Sequence, residues 1–215
     1  AAAPASIRDV RLSANWMAAC GKGDEDARLF DAVRAVGAEL CPALGVAIPV
    51  GKDSLSMSTV WKDGEQSFNQ TAPVSLIVTA FAPVPKVRAH VTPQLLPADA
   101  DGADTQLLLV DLGAGRNRLG ASILAQVHDQ LGETTPDIDD ADALRIAFEG
   151  VCTLVREGRV LACHDRSDGG LFATLAEMAF AGHCGLEVDL KSLGDDAFAA
   201  AFAEEAGWVL QVRTA

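Results

Sequence analysis

The chain has 215 residues, of which 49% are hydrophobic, so it can bury a core as one large domain or two small ones. Its 17 basic and 30 acidic residues give a formal net charge of -13, which opposes binding to a polyanion. The apolar runs fall short of the roughly 20 residues that cross a bilayer, and the first residues lack a signal-peptide pattern. We therefore expect neither nucleic acid nor a membrane as partner, and a cytoplasmic location.

The first part of the chain predicts one helix and two strands. Residues 12–20 (LSANWMAAC) follow an Ala- and Pro-rich start and contain residues placed to cap a turn. In residues 24–44 the apolar side chains recur every three or four positions, which predicts an amphipathic helix. The β-rich runs at residues 46–60 and 73–84 predict two strands that pair with each other.

A boundary is predicted in the middle of the chain. Residues 86–104 contain two prolines and the acidic run DADGAD, and the hydrophobic periodicity stops there. This stretch is interpreted as a linker between a first domain, residues 1–85, and a second domain, residues 105–215.

Strands and helices alternate in the second domain, which favours a layered α/β fold with at least some parallel pairing. The predicted strands are residues 106–111, 160–163, 186–190 and 208–212, and the predicted helices are residues 119–131, 141–157, 171–181 and 195–205. No closing helix follows the last strand, so the ends of the sequence are expected to be cuts in a longer polypeptide.

Residues 161–177 (LACHDRSDGGLFATLAE) are the segment that most suggests chemistry. A strand-to-helix turn of this kind gathers free N–H groups at the positive end of a helix, and glycines such as Gly169 let a phosphate approach the backbone. Asp165 can hold magnesium, and Ser167 can donate to a phosphate. The alternative is structural, with Ser167 or Asp168 capping the helix. The residues alone leave both interpretations open.

A second candidate is the segment of residues 49–57 (PVGKDSLSM), which places Lys52 and Asp53 beside a strand. It is not a P-loop, because a Walker A motif needs a glycine where Val46 stands and a hydroxyl residue directly after the lysine. Lys52 and Asp53 can bind phosphate and metal, or they can form a surface ion pair at a strand bend.

Other patterns do not predict an active centre. The glycine-rich turn at residues 111–120 (DLGAGRNRLG) lacks the third glycine of a dinucleotide-binding fingerprint, and it is interpreted as a flexible loop. The five cysteines form no C-x-x-C pair and are interpreted as reduced core thiols. Because no serine or cysteine stands in a nucleophile elbow, no catalytic residue is assigned.

Three motifs, LSANWM, GKDSLSM and HDRSDGGL, occur in this order. With them the chain resembles the central part of the large, single-chain phosphoribosylformylglycinamidine synthases of bacteria. The resemblance is weakest in residues 1–9 and 99–104. It implies the second of two related halves, each similar to aminoimidazole ribonucleotide synthetase. Residues 1–85 then correspond to the latter part of that half's N-terminal domain, and residues 105–215 to most of its C-terminal domain.

The resemblance also implies a reaction and its ligands. That family converts formylglycinamide ribonucleotide, glutamine and ATP to the amidine, glutamate, ADP and phosphate in de novo purine biosynthesis, so ATP or ADP and Mg²⁺ are the implied cofactors. By match to HDRSDGG, Asp165 resembles a magnesium ligand and Ser167 a nucleotide contact. The candidate site residues are therefore Ser167 and Lys52 for nucleotide, Asp165 for metal, and additionally Asp53, Asp168 and Gly169.

The family's remaining metal ligands precede LSANWM and have no counterpart here, so the isolated chain is expected to be inactive. In the family the nucleotide of this half is structural, which leaves a non-catalytic, nucleotide-stabilised scaffold as the alternative function. Strands at residues 46–60 and 73–84 are expected to pack on the other half, and without it the chain is expected to form a twofold dimer.

Overall fold

The computed structural model describes residues 2–97 and 104–214, and the chain divides into two compact units. The smaller unit is Ala5–Pro83, and the larger one combines Ala1–Pro4 with Val84–Ala215. Both contain helices and sheets, which confirms the predicted α/β class. The acidic run at residues 98–103 lies outside the described residues.

The smaller unit is built on five strands. These are β1 (Arg11–Met17), β2 (Ala47–Ser54), β3 (Ser58–Asp63), β4 (Gln66–Thr71) and β5 (Ser75–Phe81). β1 is the centre of a three-stranded sheet, parallel to β2 and antiparallel to β5, whereas β3 and β4 form a separate hairpin.

Two expectations for this unit are wrong. The LSANWM segment is the central strand and not the start of a turn, and Ala14 in it is only 1% exposed. The two predicted strands at residues 46–60 and 73–84 do not pair with each other, because β1 lies between β2 and β5. β1 (RLSANWM) contains no Val, Ile or Thr, so its sequence carries no strong β signature.

The predicted helix at residues 24–44 is confirmed. It consists of α1 (Glu25–Val33), a π-helical stretch (Arg34–Leu40) and α2 (Cys41–Leu44). Gly45 ends it with a φ of 70°, the left-handed conformation that commonly closes a helix.

The larger unit contains a three-stranded antiparallel sheet. Its strands are β6 (Thr105–Asp111), β7 (Val160–Asp165) and β8 (Gly207–Arg213), in the order β6-β8-β7. The parallel pairing predicted for this domain is wrong. β6 and β7 do run in the same direction, but β8 lies between them and is antiparallel to both.

The helices of this unit are α3 (Ile123–Val127), α4 (Ala141–Arg156), α5 (Gly170–Gly182) and α6 (Ala197–Phe202). The helices predicted at residues 119–131 and 195–205 are shortened to α3 and α6. The strand predicted at residues 186–190 is not formed, although its apolar side chains alternate as a strand's do. Within the described part of the chain this segment joins no sheet.

The core of the larger unit lies on both faces of its sheet. Consecutive residues of β8 point to opposite faces, so Val209 packs with Leu171 and Met178 of α5, while Leu210 packs with residues of α4 such as Val155. The sheet is therefore enclosed between α4 and α5. No helix in the described residues is long and apolar enough to cross a membrane.

Residues 86–97, which were predicted as part of a linker, belong to the larger unit, and some of them contact its core. Leu95 is 3% exposed in the cluster with α5, and the carbonyl of Thr92 accepts a hydrogen bond from the Cys163 N–H at 3.0 Å. Prolines interrupt the periodicity of this stretch without excluding it from the core.

Candidate functional site

The turn between β7 and α5 exposes the polar residues that the sequence singles out. Asp165 ends β7 and its side chain is 67% exposed, and Ser167 and Asp168 are also exposed. Gly169, which has no side chain, is the N-cap of α5, so capping does not explain Ser167 and Asp168. Their hydroxyl and carboxylates lie beside the start of a 13-residue helix.

The two glycines of this turn serve the fold. Their φ angles are 80° at Gly169 and 66° at Gly170, and a Cβ on Gly170 would lie 2.7 Å from backbone at the end of α6. The Gly169 N–H donates to Glu204 Oε1 at 2.8 Å, and the Gly170 N–H donates to the Ser167 carbonyl at 2.9 Å. These two N–H groups are therefore engaged within the chain.

Arg166 was not identified from the sequence, and it is the buried residue of the turn. Its side chain is 1% exposed, whereas Asp165 and Ser167 on either side face solvent. Nη2 donates to Asp111 Oδ1 at 2.5 Å, and Nε donates to the Glu205 carbonyl at 2.5 Å. Its place inside HDRSDGG is the only sequence signal that could have marked it.

The glycine-rich turn that follows β6 is fixed by carboxylates, in contrast to the flexible loop inferred from sequence. Asp111 accepts from the N–H groups of Gly113 (3.1 Å) and Gly115 (2.9 Å). Glu205 accepts from Arg118 at Nε and at the backbone N–H. Burial by itself raises the pKa of the Asp111 carboxyl, but these N–H groups and the nearby guanidinium outweigh it and hold that pKa below its usual value.

His164 precedes Asp165 in β7, so it lies beside the turn between β7 and α5. Its Nε2 is 2.7 Å from Glu177 Oε2, and its buried Nδ1 lies 3.3 Å from Asp165 Oδ1 without forming a hydrogen bond. Asp165 itself stays accessible to a ligand.

The carboxylates of the described residues do not assemble a complete metal site, because no group of three or more His, Cys, Asp or Glu side chains is placed to hold an ion. Mg²⁺ needs only one or two protein carboxylates when nucleotide phosphates supply further oxygens. The exposed Asp165 therefore fits a magnesium ion that arrives with a nucleotide.

Lys52 and Asp53 lie on β2 in the smaller unit, whereas the HDRSDGG residues lie in the larger one. As consecutive residues of a strand they point to opposite faces, so the ion pair suggested as an alternative does not form. Lys52 Nζ donates instead to Ser54 Oγ at 2.9 Å. Both side chains are exposed.

A cavity of about 720 Å³ lies elsewhere in the larger unit, between β6 and the segment that precedes α6. Leucines such as Leu107, Leu175 and Leu190 make up nearly half of its lining, and neither Asp165 nor Ser167 lines it. Its lining in the described residues contains no lysine or arginine, so it offers no cation to a nucleotide phosphate.

Each of the two parts of the chain matches a model of a known protein family. Residues 1–83 match the family model described as FGAR-AT PurM_N-like domain. Residues 106–212 match the model described as AIR synthase related protein, C-terminal domain.

Solved structures share the fold. E. coli HypE, a hydrogenase maturation protein, is 24% identical with a TM-score of 0.55, and the match covers 98% of this chain and 60% of that one. T. maritima PurL complexed with ATP is 13% identical with a TM-score of 0.52, over 100% of this chain and 30% of that one. The chain thus spans 60% or less of these proteins. Residues 1–83 and 106–212 are therefore similar to the two domains of AIR-synthase-like proteins.

Proposed function

We propose that the chain forms part of an ATP-dependent ligase and that the turn at residues 165–170 binds a magnesium nucleotide. The reaction proposed is that of phosphoribosylformylglycinamidine synthase, in which formylglycinamide ribonucleotide, glutamine and ATP give the amidine, glutamate, ADP and phosphate. The match of residues 1–83 to an FGAR-AT domain supports this choice, as do the three ordered sequence motifs. T. maritima PurL, which shares the fold, was crystallised with ATP.

The observation that carries the proposal is the simultaneous exposure of Asp165 and Ser167 at the start of α5. A helix N-terminus favours anions, a carboxylate attracts the accompanying Mg²⁺, and a hydroxyl can donate to a phosphate oxygen. In this arrangement Asp165 holds the metal and Ser167 holds the nucleotide. Asp168 and Gly169 are proposed to border the phosphate.

Lys52 and Asp53 remain proposals for a nucleotide and a metal contact from the smaller unit. Lys52 has the charge to neutralise a phosphate, and its exposed amino group donates to the Ser54 hydroxyl. We also propose a cytoplasmic location, as expected for nucleotide metabolism.

Equilibrium binding tests the nucleotide site. Titration calorimetry with ATP and Mg²⁺ on the full 215-residue chain should give saturable binding, and Asp165→Asn and Ser167→Ala should each weaken it by about tenfold. Asp189→Asn is the matched control, because that carboxylate is also exposed and lies near Lys191, away from the turn. Equal affinities in the wild type and in Asp165→Asn would reject the site.

A second candidate function is a nucleotide-stabilised scaffold without turnover chemistry. The lack of a metal cluster among the described residues favours it. The two functions predict different results in the longer synthase. If amidine formation there survives Asp165→Asn while nucleotide retention is lost, the scaffold function is correct. The isolated chain is expected to form no amidine in either case.

A further inference from the structure

We propose that Arg166 is a positioning residue for the nucleotide site. By anchoring the turn from inside, it keeps Asp165 and Ser167 facing the solvent where a magnesium nucleotide can reach them. This inference rests on the proposed function of the turn, and it assigns a role to a residue that does not itself contact the ligand.

The anchor is made from both the side chain and the backbone of Arg166. The guanidinium donates to Asp111 Oδ1 and to the carbonyls of Glu205 and Ala206, at 2.5, 2.5 and 3.2 Å. The backbone N–H donates to the carbonyl of Gly207 at 2.9 Å, which continues the pairing of β7 with β8 by one residue. These hydrogen bonds therefore fix the direction in which the Arg166 side chain points and hold it in the interior.

The direction of Arg166 determines the direction of its neighbours. Successive residues of an extended chain point to opposite sides. Asp165, Arg166 and Ser167 are exposed, buried and exposed in turn. As long as the arginine points inward, the carboxylate and the hydroxyl are both presented on the outer side, next to the first turn of α5.

Burying a guanidinium carries a desolvation penalty that an apolar side chain would avoid. What arginine adds is a planar fork of donors with a defined orientation. The acceptors around Arg166 are arranged to receive these donors. We therefore infer that the buried guanidinium fixes the orientation of the turn. At 1% exposure the side chain is inaccessible to a nucleotide.

Asp111 extends the effect to the glycine-rich turn. The same carboxylate that accepts from Arg166 also accepts from the N–H groups of Gly113 and Gly115. Loss of the Arg166 contact should therefore loosen residues 111–115 together with residues 165–170. This coupling distinguishes positioning by Arg166 from a local role in the turn alone.

A double-mutant cycle tests the inference on the full chain. Arg166→Lys keeps the charge and loses the fork, and we expect it to weaken binding of ATP with Mg²⁺ about tenfold, but only about twofold in a Ser167→Ala background. Arg145→Lys is the control, because it alters an ion pair on α4 that shares no partner with Arg166, and its affinity should stay within about twofold of the wild type. Wild-type affinity in Arg166→Lys, or the same loss in both backgrounds, would overturn the proposal.

Hydrogen exchange of the ligand-free chain separates this inference from the proposed function. Arg166→Lys should accelerate amide exchange in residues 165–170 and 111–115, whereas Arg145→Lys should leave both segments unchanged. If Arg166→Lys does not fold, Asp111→Asn supplies the same comparison with Arg166 still present. Failure of the wild type to bind nucleotide would reject the nucleotide site, whereas unchanged exchange at residues 165–170 would reject positioning by Arg166, whatever binds there.

Discussion

Arg118 and Glu205 form a bidentate ion pair inside the larger unit, with Nε 2.7 Å from Oε1 and Nη2 2.7 Å from Oε2. The Glu205 side chain is 1% exposed and that of Arg118 is 13% exposed. Arg118 Nη2 also reaches Asp139 Oδ2 at 2.8 Å. The pair thus joins the glycine-rich turn to the segment that enters β8 and to the residues before α4.

Removing one partner of this pair should be costly. Arg118→Ala leaves the Glu205 charge buried without its counter-ion, and we expect the free energy of unfolding to fall by about 3–5 kcal/mol. Arg145→Ala is the control, because its ion pair with Asp142 is on the surface and should be worth less than about 1 kcal/mol. Urea unfolding of both variants measures the difference, and equal losses would contradict the account.

The same pair should make stability depend on acid pH. Burial by itself raises the pKa of Glu205, but the hydrogen bonds and charge of Arg118 outweigh it, so the pKa lies below the usual 4.5. A carboxyl with a lowered folded-state pKa contributes stability that is complete above its unfolded value and is lost as the pH falls through the folded value. The difference in melting temperature between wild type and Arg118→Ala should therefore shrink below about pH 4.5. A difference that stays constant on acidification speaks against this assignment.

Two glycines should respond in opposite ways to alanine. At Gly170, φ is 66° and an added Cβ meets backbone at 2.7 Å, so Gly170→Ala should destabilise the chain strongly. At Gly150, within α4, a Cβ meets nothing within 4 Å, so Gly150→Ala should stabilise it by about 0.5–1 kcal/mol. Thermal unfolding measures the stability of both variants. A Gly170→Ala protein as stable as the wild type would be inconsistent with the packing at the end of α6.

The exposed face of the smaller unit leads to a prediction about assembly. Val50, Ile77 and Phe81 are 64%, 56% and 58% exposed, and they share one face because each lies beside an alternate residue of β1. Apolar surface of this kind recruits a partner, and we expect a twofold dimer. The net charge of -13 opposes association, but it is screened beyond about 8 Å at physiological salt.

Sedimentation at micromolar concentration measures this association. Ile77→Asp should shift the chain to monomer, whereas Ile146→Asp, which changes a similarly exposed side chain on α4, should not. A wild-type chain that sediments as a monomer at all concentrations would refute the expected dimer.

The sequence predicted the elements whose pattern is local. The helices at residues 24–44 and 171–181 follow from apolar side chains repeated every three or four positions, and the α/β class follows from their alternation with strands. The pairing of strands was not predictable in this way. β1 carries small and polar residues that resemble a turn, and the insertion of β8 between β6 and β7 depends on packing between distant segments.

The exposed part of the candidate site was also visible in the sequence, since Asp165 and Ser167 belong to one compact motif. The buried contacts that support these two residues were not visible in the sequence. Arg166 lies 55 residues from Asp111 and 39 from Glu205 in the chain, so no local spacing could indicate that they meet. Buried ion networks of this kind emerge only from the folded geometry.

The most direct test of the central claim is a hydrogen-exchange footprint of bound ATP and Mg²⁺ on the full chain. We predict slower exchange in residues 164–172, where Asp165 and Ser167 lie at the start of α5, and unchanged exchange in residues 184–193, which border the apolar cavity. Protection confined to residues 184–193, or no protection at residues 164–172 at saturating nucleotide, would contradict the account.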